Sequence, residues 1–415
     1  MPSGPLGLPF IGNLHQYDGL TPHIYFSKLS KKYGKIFSLK LGSTPIVVIS
    51  SAKLAKEVLK IQDLTFCSRP SFLGQQKLSY NGHDIAFAPY NDYWREMRKV
   101  CVVHLFSLKK VQSFSPIRED EVSRMITKIS QQAIASQITN LSNLVRSLTS
   151  TIICRVAFGI RYDEEAHEKR RFDELLAVAQ EMMARFFFID YFPMFGWLDK
   201  LFGNTSRLEK NGKDLDEFYE ELIDQHLNPN KPKSMEGDII DLLLQLKKEQ
   251  SNPIDLTLDN IKAILMNIFA GGADTSAAAV VWAMSALIKN PKVMKKVQEE
   301  IRKSIGTKGF VNEDDVQNMP YLKAVIKETF RLYPPAPLLV PRETMKKSTL
   351  QGFEFVSTGI ALGVATVDLI LSNLLYAFDW ELPCGMKKED IDTDVMPGIA
   401  MHKKNDLCLV PKNYF

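Results

Sequence analysis

Four groups of residues in this 415-residue chain could do chemistry by their types and spacing. The stretch FAGGADTSA, residues 269–277, places an acid, Asp274, and a hydroxyl, Thr275, beside two adjacent glycines inside an otherwise apolar run. Such a pair could pass protons in a dry pocket. Glycines there cost a helix roughly 1 kcal/mol each against alanine, so Gly271 and Gly272 should loosen it or admit something close to its backbone. Close helix packing at the glycines, with Asp274 paired to a cation and Thr275 bonded back to a carbonyl, would explain the same residues without chemistry. Trp94 and Arg98, four apart in YWREMRK, would aim an indole N–H and a guanidinium the same way, toward a carboxylate or phosphate. The alternative is a core tryptophan beside a solvated arginine. Glu328 and Arg331, spaced three apart, share a helix face and would make an ion pair, which from the residues alone reads as a surface pair worth under about 1 kcal/mol. The proline-rich stretch YPPAPLLVPRET, residues 333–344, ends in Arg342.

These groups sit on a chain that reads as mostly helical. A proline- and glycine-rich opening gives way to a short amphipathic helix closed by Gly34. The stretch KIFSLKLGSTPIVVIS follows as a hairpin about residues 42–45. Ser50 or Ser51 can cap the next helix. Apolar residues at three- and four-residue spacing predict helices over 91–104, 116–135, 141–158, 172–187, 206–226, 238–249 and 259–289. Asn290-Pro291 should cap the helix after that, and Pro320 should open the one carrying Glu328. There is no internal repeat. The expected architecture is one domain over 1–415, mostly α with small β portions near both ends, residues 1–16 forming a stiff hinge.

Composition narrows the function. A formal charge of +4 with lysine and arginine scattered among acids gives no footprint for nucleic acid. The five cysteines, Cys67, Cys101, Cys154, Cys384 and Cys408, are odd in number and contain no C-x-x-C pair. That argues against a disulfide framework and against structural zinc. No clear membrane span is expected.

Taken in order, an opening GPLGLPFIGNLHQ, W-x-x-x-R at 94–98, G-G-x-D-T-S at 271–276, E-x-x-R at 328–331, the proline-rich P-R after it and the tail DVMPGIAMHKKNDLCLVP resemble the haem-thiolate monooxygenases. These are the cytochromes P-450, in particular plant microsomal ones. The resemblance implies a mostly α fold of that type, with haem as cofactor. It implies insertion of one oxygen atom from dioxygen into a small apolar substrate of plant secondary metabolism. Electrons would come from an NADPH-dependent reductase flavoprotein, and the protein would lie on the cytosolic face of the endoplasmic reticulum membrane. It implies that Trp94, Arg98 and Arg342 hold the haem propionates and that Asp274 and Thr275 relay protons. Glu328 and Arg331 would be two members of a buried, structural salt-bridge triad. Family segments matching 68–88, 267–270, 335–340 and 398–400 line the substrate pocket, with Phe87, Ile268, Ala270, Leu338, Val340 and Ile399 as apolar contacts.

One part of the family pattern is missing. The loop F-x-x-G-x-R-x-C-x-G, whose cysteine ligates the iron, should precede the helix that begins near Gly359. The chain has GFEFVST there, without a cysteine, and only 27 residues separate Arg331 from Gly359. The expectation is an internal deletion with its junction near 355–359, leaving the fold incomplete on the proximal haem side and no metal ligand. The apolar N-terminal anchor usual in the family is also expected to be missing. A catalytically inactive truncated or spliced product is the alternative to an active enzyme. Cys384, Cys408 and Cys101 are not placed to substitute for the ligand, and His402 reads as an exposed tail residue.

Overall fold

The computed structural model describes residues 2–19, 21–162, 167–249, 254–346, 361–396 and 400–414. The junction near 355–359 and Ile399 lie outside them. Eleven helices of eight residues or more are found among the described residues. They are α1 (Pro22–Tyr33), α2 (Asp92–Val100), α3 (Ser115–Ile134), α4 (Leu141–Phe158), α5 (His167–Ala184), α6 (Asn204–Leu227), α7 (Ile239–Glu249), α8 (Leu258–Lys289), α9 (Pro291–Ile305), α10 (Pro320–Leu332) and α11 (Ala361–Ala377).

Local signals in the sequence account for their ends. Pro22, Pro291 and Pro320 each open a helix at its first position, where the missing N–H costs nothing. Thr257 caps α8 in a box with Asn260, each side chain bonding the other's backbone N–H. Gly159, at φ +65°, ends α4 in the left-handed conformation that glycine adopts without strain. Asn290 behaves otherwise than expected. It makes no cap on α9, and its amide instead donates back to the Ala286 carbonyl, closing α8.

Two small antiparallel sheets flank the helices. Strands β1 (Ile36–Leu41) and β2 (Thr44–Ile49) form a hairpin with Leu41 opposite Thr44. Its turn needs Gly42 at φ +58°, and a side chain there would stand 2.4 Å from the Tyr191 carbonyl oxygen. Strands β3 (Thr139–Asn140), β4 (Phe378–Glu381) and β5 (Cys408–Asn413) form the second sheet, in the order β3-β5-β4. This sheet ties the C-terminal strand to the start of α4.

The core is assembled around α8, which packs on α4, α7, α10 and α11. It is the one helix among the described residues long and apolar enough to cross a membrane, and 67% of its most apolar window is buried inside the protein. That burial explains why it is hydrophobic nearly all round: neighbours cover most of its surface. An aromatic cluster of Phe158, Phe172, Phe218 and Phe269 locks α4, α5, α6 and α8 together, with ring centroids 4.7 Å apart for Phe158 and Phe269.

Candidate functional site

The glycine pair does not loosen α8. Regular helix runs unbroken from Leu258 to Lys289. Each glycine serves a different purpose. A Cβ on Gly272 would stand 2.6 Å from Ile153 Cδ1, so this position lets α4 and α8 approach. Gly271 faces the other way and is exposed, with no described atom within 4 Å of where its Cβ would be. Flanking residues Phe269 and Ala273 are 0% and 3% exposed. One turn of the most buried helix thus offers bare backbone to an open space. Thr275 stands at its edge and donates its hydroxyl to the Gly271 carbonyl at 2.6 Å.

Asp274 sits on the same turn, largely buried, with Nε2 of His402 3.7 Å from its Oδ1. Burial, the largest single influence, would raise its carboxyl pKa; His402, Gln180 and Arg146 together outweigh it and hold the carboxyl below the usual carboxylate range. His402 is therefore not the exposed tail residue expected. The tail is anchored next to it: Trp282 Nε1 donates to the Met401 carbonyl at 2.9 Å, and Met401 N–H donates to the Pro335 carbonyl at 2.7 Å. The Trp282 ring stacks on Tyr333, centroids 4.6 Å apart.

Trp94 and Arg98 project from α2, whose N-terminus Asn91 caps by accepting from the Trp94 N–H. They do not form two parallel donors. The Trp94 indole donates to the Ile85 carbonyl at 3.0 Å, and the Arg98 guanidinium lies 5.4 Å from the Trp94 ring. Arg342 donates to the Phe66 carbonyl at 3.1 Å. The unexpected member of this group is Arg69. Its Nε donates to the Ala86 carbonyl at 2.8 Å, while its Nη1 is buried without a hydrogen-bond partner. Burial, reinforced by the neighbouring Arg342, pushes the Arg69 guanidinium down to about 10. Two half-buried cations side by side, neither in an ion pair among the described residues, suit a dianionic group. Arg69 carried no readable signal in the sequence, being a single arginine before a proline outside any helix.

A half-open cavity of about 240 Å³ lies between the start of α1, the end of α5, the proline-rich segment 337–341 and the tail. Phe72, Phe87, Tyr191, Leu338, Val340 and Met401 are among its walls, and His23, Gln75 and Arg185 are polar side chains in its lining. Of the expected apolar contacts, Phe87, Leu338 and Val340 line this cavity. Ile268 is buried in the core at 6% exposure and Ala270 packs half-buried against it, neither on the cavity wall.

Glu328 and Arg331 do pair, through two hydrogen bonds of 2.7 Å each. They are not buried: 54% and 67% of the two side chains is exposed. The buried cluster expected of them is absent among the described residues, and the face of α10 that carries them is open to solvent. A buried pair does exist elsewhere, between Arg118, 0% exposed, and Glu313.

The donor set can be tested against a haem. Two guanidiniums with an orphaned buried N–H fit its carboxylates, and the bare turn at Gly271 leaves room beside α8. No sulfur fits its iron. Cys101 and Cys154 are fully buried in the core, and burial pushes both thiols up to about 12. Cys384 is exposed in a turn and Cys408 lies on β5. Cys67 is beside Arg69 and Arg342, yet burial raises its thiol too, and its Sγ packs 3.5 Å from Met345 Sδ. Among the described residues no three histidine, cysteine or acidic side chains cluster as a metal site. The residues present would suit the periphery of the group but offer no ligand to its metal.

Comparison with known proteins places the chain. A family model described as Cytochrome P450 matches residues 2–366. The chain is 48% identical to a 6,7,8-trihydroxycoumarin synthase of Pastinaca sativa, over the whole of this chain and 93% of that protein. It is 46% identical to a 5-OH-xanthotoxin synthase of Ammi majus and 42% identical to Cytochrome P450 71B36 of Arabidopsis thaliana, again with 100% and 93% coverage. The first alignment extends over 474 positions, 59 more than the chain's 415 residues. On the strength of the helical fold, the family match and these relatives, the chain belongs to the cytochrome P450 family.

Proposed function

We propose that the cavity is built for a small aromatic oxygen heterocycle of the coumarin type, and that the reaction of this lineage is insertion of one oxygen atom from dioxygen into it. When bound, haem supplies the oxygen chemistry, with electrons from a reductase flavoprotein. The reading is supported by the synthase names of the relatives and by walls rich in flat apolar groups. Phe72 and Tyr191 stack at 6.0 Å, and Phe87 stands on the same cavity. In this reading Arg69, Arg342 and Arg98 hold the propionates, Asp274 and Thr275 hold protons on the distal side, and the protein works at the endoplasmic reticulum membrane.

A second reading applies to the chain as it stands: the site binds its ligand but does not oxidise it. The observation that carries it is the donor set, in which no cysteine sulfur is placed for the iron. The 59 alignment positions beyond the chain's own length support loss of a segment, and the exposed Glu328–Arg331 face is what a lost cover on that side would leave. The test is to express the chain with haem, reduce it and add carbon monoxide. A long-wavelength Soret band of the thiolate type overturns the second reading. Its absence, with retained binding of 7-hydroxycoumarin, supports it.

A further inference from the structure

Segment 84–88 has no regular secondary structure, yet it is nearly buried and carries much of the site. Phe87 from it walls the cavity, the Ile85 carbonyl receives the Trp94 indole, and the Ala86 carbonyl receives Arg69. Two side chains fix it. The Asp84 carboxylate, 0% exposed, accepts from the Phe87 N–H at 3.0 Å and the Ala86 N–H at 3.3 Å. Asn267 on α8 accepts from the N–H groups of Ile85 and Ala86, at 3.0 and 3.1 Å, and donates its amide to Asp84 Oδ2 at 2.8 Å. Two turns earlier on α8, Asn260 donates to the Tyr93 hydroxyl, which itself donates to the His83 carbonyl. The loop is thus held at both ends from one face of α8.

The Asp84–Phe87 bonds are buried and the Asn267 bonds partly buried, so losing one partner leaves the other poorly satisfied. Asn267 lies four residues before Gly271, so the clip also fixes how far Phe87 stands from the open turn of α8. Among the described residues no other side chain is seen to bond both the loop's backbone and Asp84. Gln76 adds only a 3.3 Å contact to the Phe87 carbonyl.

We propose that Asn267 and Asp84 act as a positioning clip that sets Phe87 on the cavity wall and thereby selects which aromatic ligand the cavity accepts. The selection half of this rests on the coumarin reading given above. The clip itself does not. Asn267 in this assignment is not a substrate contact; it acts through the backbone of 85 and 86.

The test uses the full chain, fluorescence titration with 7-hydroxycoumarin, and hydrogen exchange at the amides of Ile85, Ala86 and Phe87. N267A should weaken binding about tenfold or more and expose those amides. N267D should do the same at neutral pH by setting two carboxylates against each other. The swapped pair D84N/N267D keeps the bond between the two side chains with amide and carboxylate exchanged. It keeps an acceptor at 84 for the Phe87 N–H and at 267 for the Ile85 and Ala86 N–H groups, and gives up only the longer contacts of Ala86 and Phe87 with Asp84 Oδ2. It should restore binding to within about threefold and restore protection. A general packing defect would not be repaired by the exchange. If the swapped pair fails to recover both readouts, or N267A keeps its amide protection, the clip is wrong. If the parent chain does not bind 7-hydroxycoumarin while exchange follows the pattern above, the coumarin reading fails and the clip stands.

Discussion

Nε2 of His402 stands 3.7 Å from Oδ1 of Asp274, joining the chain's last loop to the middle of its longest helix across 128 residues of sequence. The contact is made possible by Trp282, which holds Met401 by its carbonyl two turns further along α8. An acid that would be costly to bury alone is thereby kept ionised by a neighbour that arrives from the tail.

Replacing His402 with asparagine should raise the Asp274 pKa. The sign follows from the direction of the shift. A carboxyl depressed in the folded state adds stability above its unfolded pKa of about 3.9, and that contribution is lost as pH falls through the folded value. H402N should therefore be destabilised at pH 7 by on the order of 1 kcal/mol, with the gap closing in acid. Urea melts of parent and variant at neutral and acidic pH check it; a gap constant with pH would show that His402 packs rather than pairs.

The adjacent glycines predict opposite outcomes for the same change. Gly272→Ala drives a methyl toward Ile153 Cδ1, at 2.6 Å before relaxation, and should cost about 1–3 kcal/mol. Gly271→Ala meets open space among the described residues and should stabilise the helix by about 0.5–1 kcal/mol. Adding Ile153→Val to Gly272→Ala should recover part of the loss. Thermal unfolding of the three variants decides it.

Much of this molecule was legible before its coordinates. Periodicity and proline positions placed the long helices within a few residues, because those signals are local. The functional groups were found as residue types, but their directions were not. Trp94 spends its indole on a loop carbonyl, and Arg98 lies over the Trp94 ring. Arg69, His402 and Asn267 act through partners 17, 128 and 183 residues away, and no local pattern encodes such pairings. The E-x-x-R spacing gave the pair, and its exposure agrees with the surface reading of the residues rather than with the buried triad that the resemblance implies, since burial depends on what covers a helix and spacing does not report that.

That environment makes a prediction about two ion pairs. Glu328→Gln should leave the melting temperature unchanged, because both partners are solvated and screened. Arg118→Ala should be severe, on the order of 3–5 kcal/mol, because it strips a buried guanidinium from Glu313 and from the Val111 carbonyl. Parallel melts test this; a large loss in Glu328→Gln would mean that α10 is covered in solution.

Thiol labelling separates the cysteines. Cys384 is exposed and should react first with a small disulfide reagent, whereas Cys101 and Cys154, buried with thiols at about 12, should react only on unfolding. Rapid labelling of Cys154 in the native protein would contradict the packing of α4 in the core, and rapid labelling of Cys101 the burial of the segment that follows α2.

Asp190 supplies the opposite pH signature to Asp274. Burial, opposed by the Leu73 N–H that its carboxylate accepts at 2.9 Å and aided by nearby Asp199, pushes its pKa up to about 6. A raised carboxyl favours the protonated folded state. Its contribution is complete below the unfolded value of about 3.9 and lost as pH rises through about 6. Asp190→Asn keeps an acceptor for Leu73 and removes the charge, so the variant should gain on the parent as pH rises from 4 to 7. The gain should be largest where the parent carboxyl is ionised against Asp199. If the two proteins lose stability in parallel over that range, the carboxyl of Asp190 titrates as a solvated group and its position between α5 and the short helix at Leu73 is looser than the structure has it.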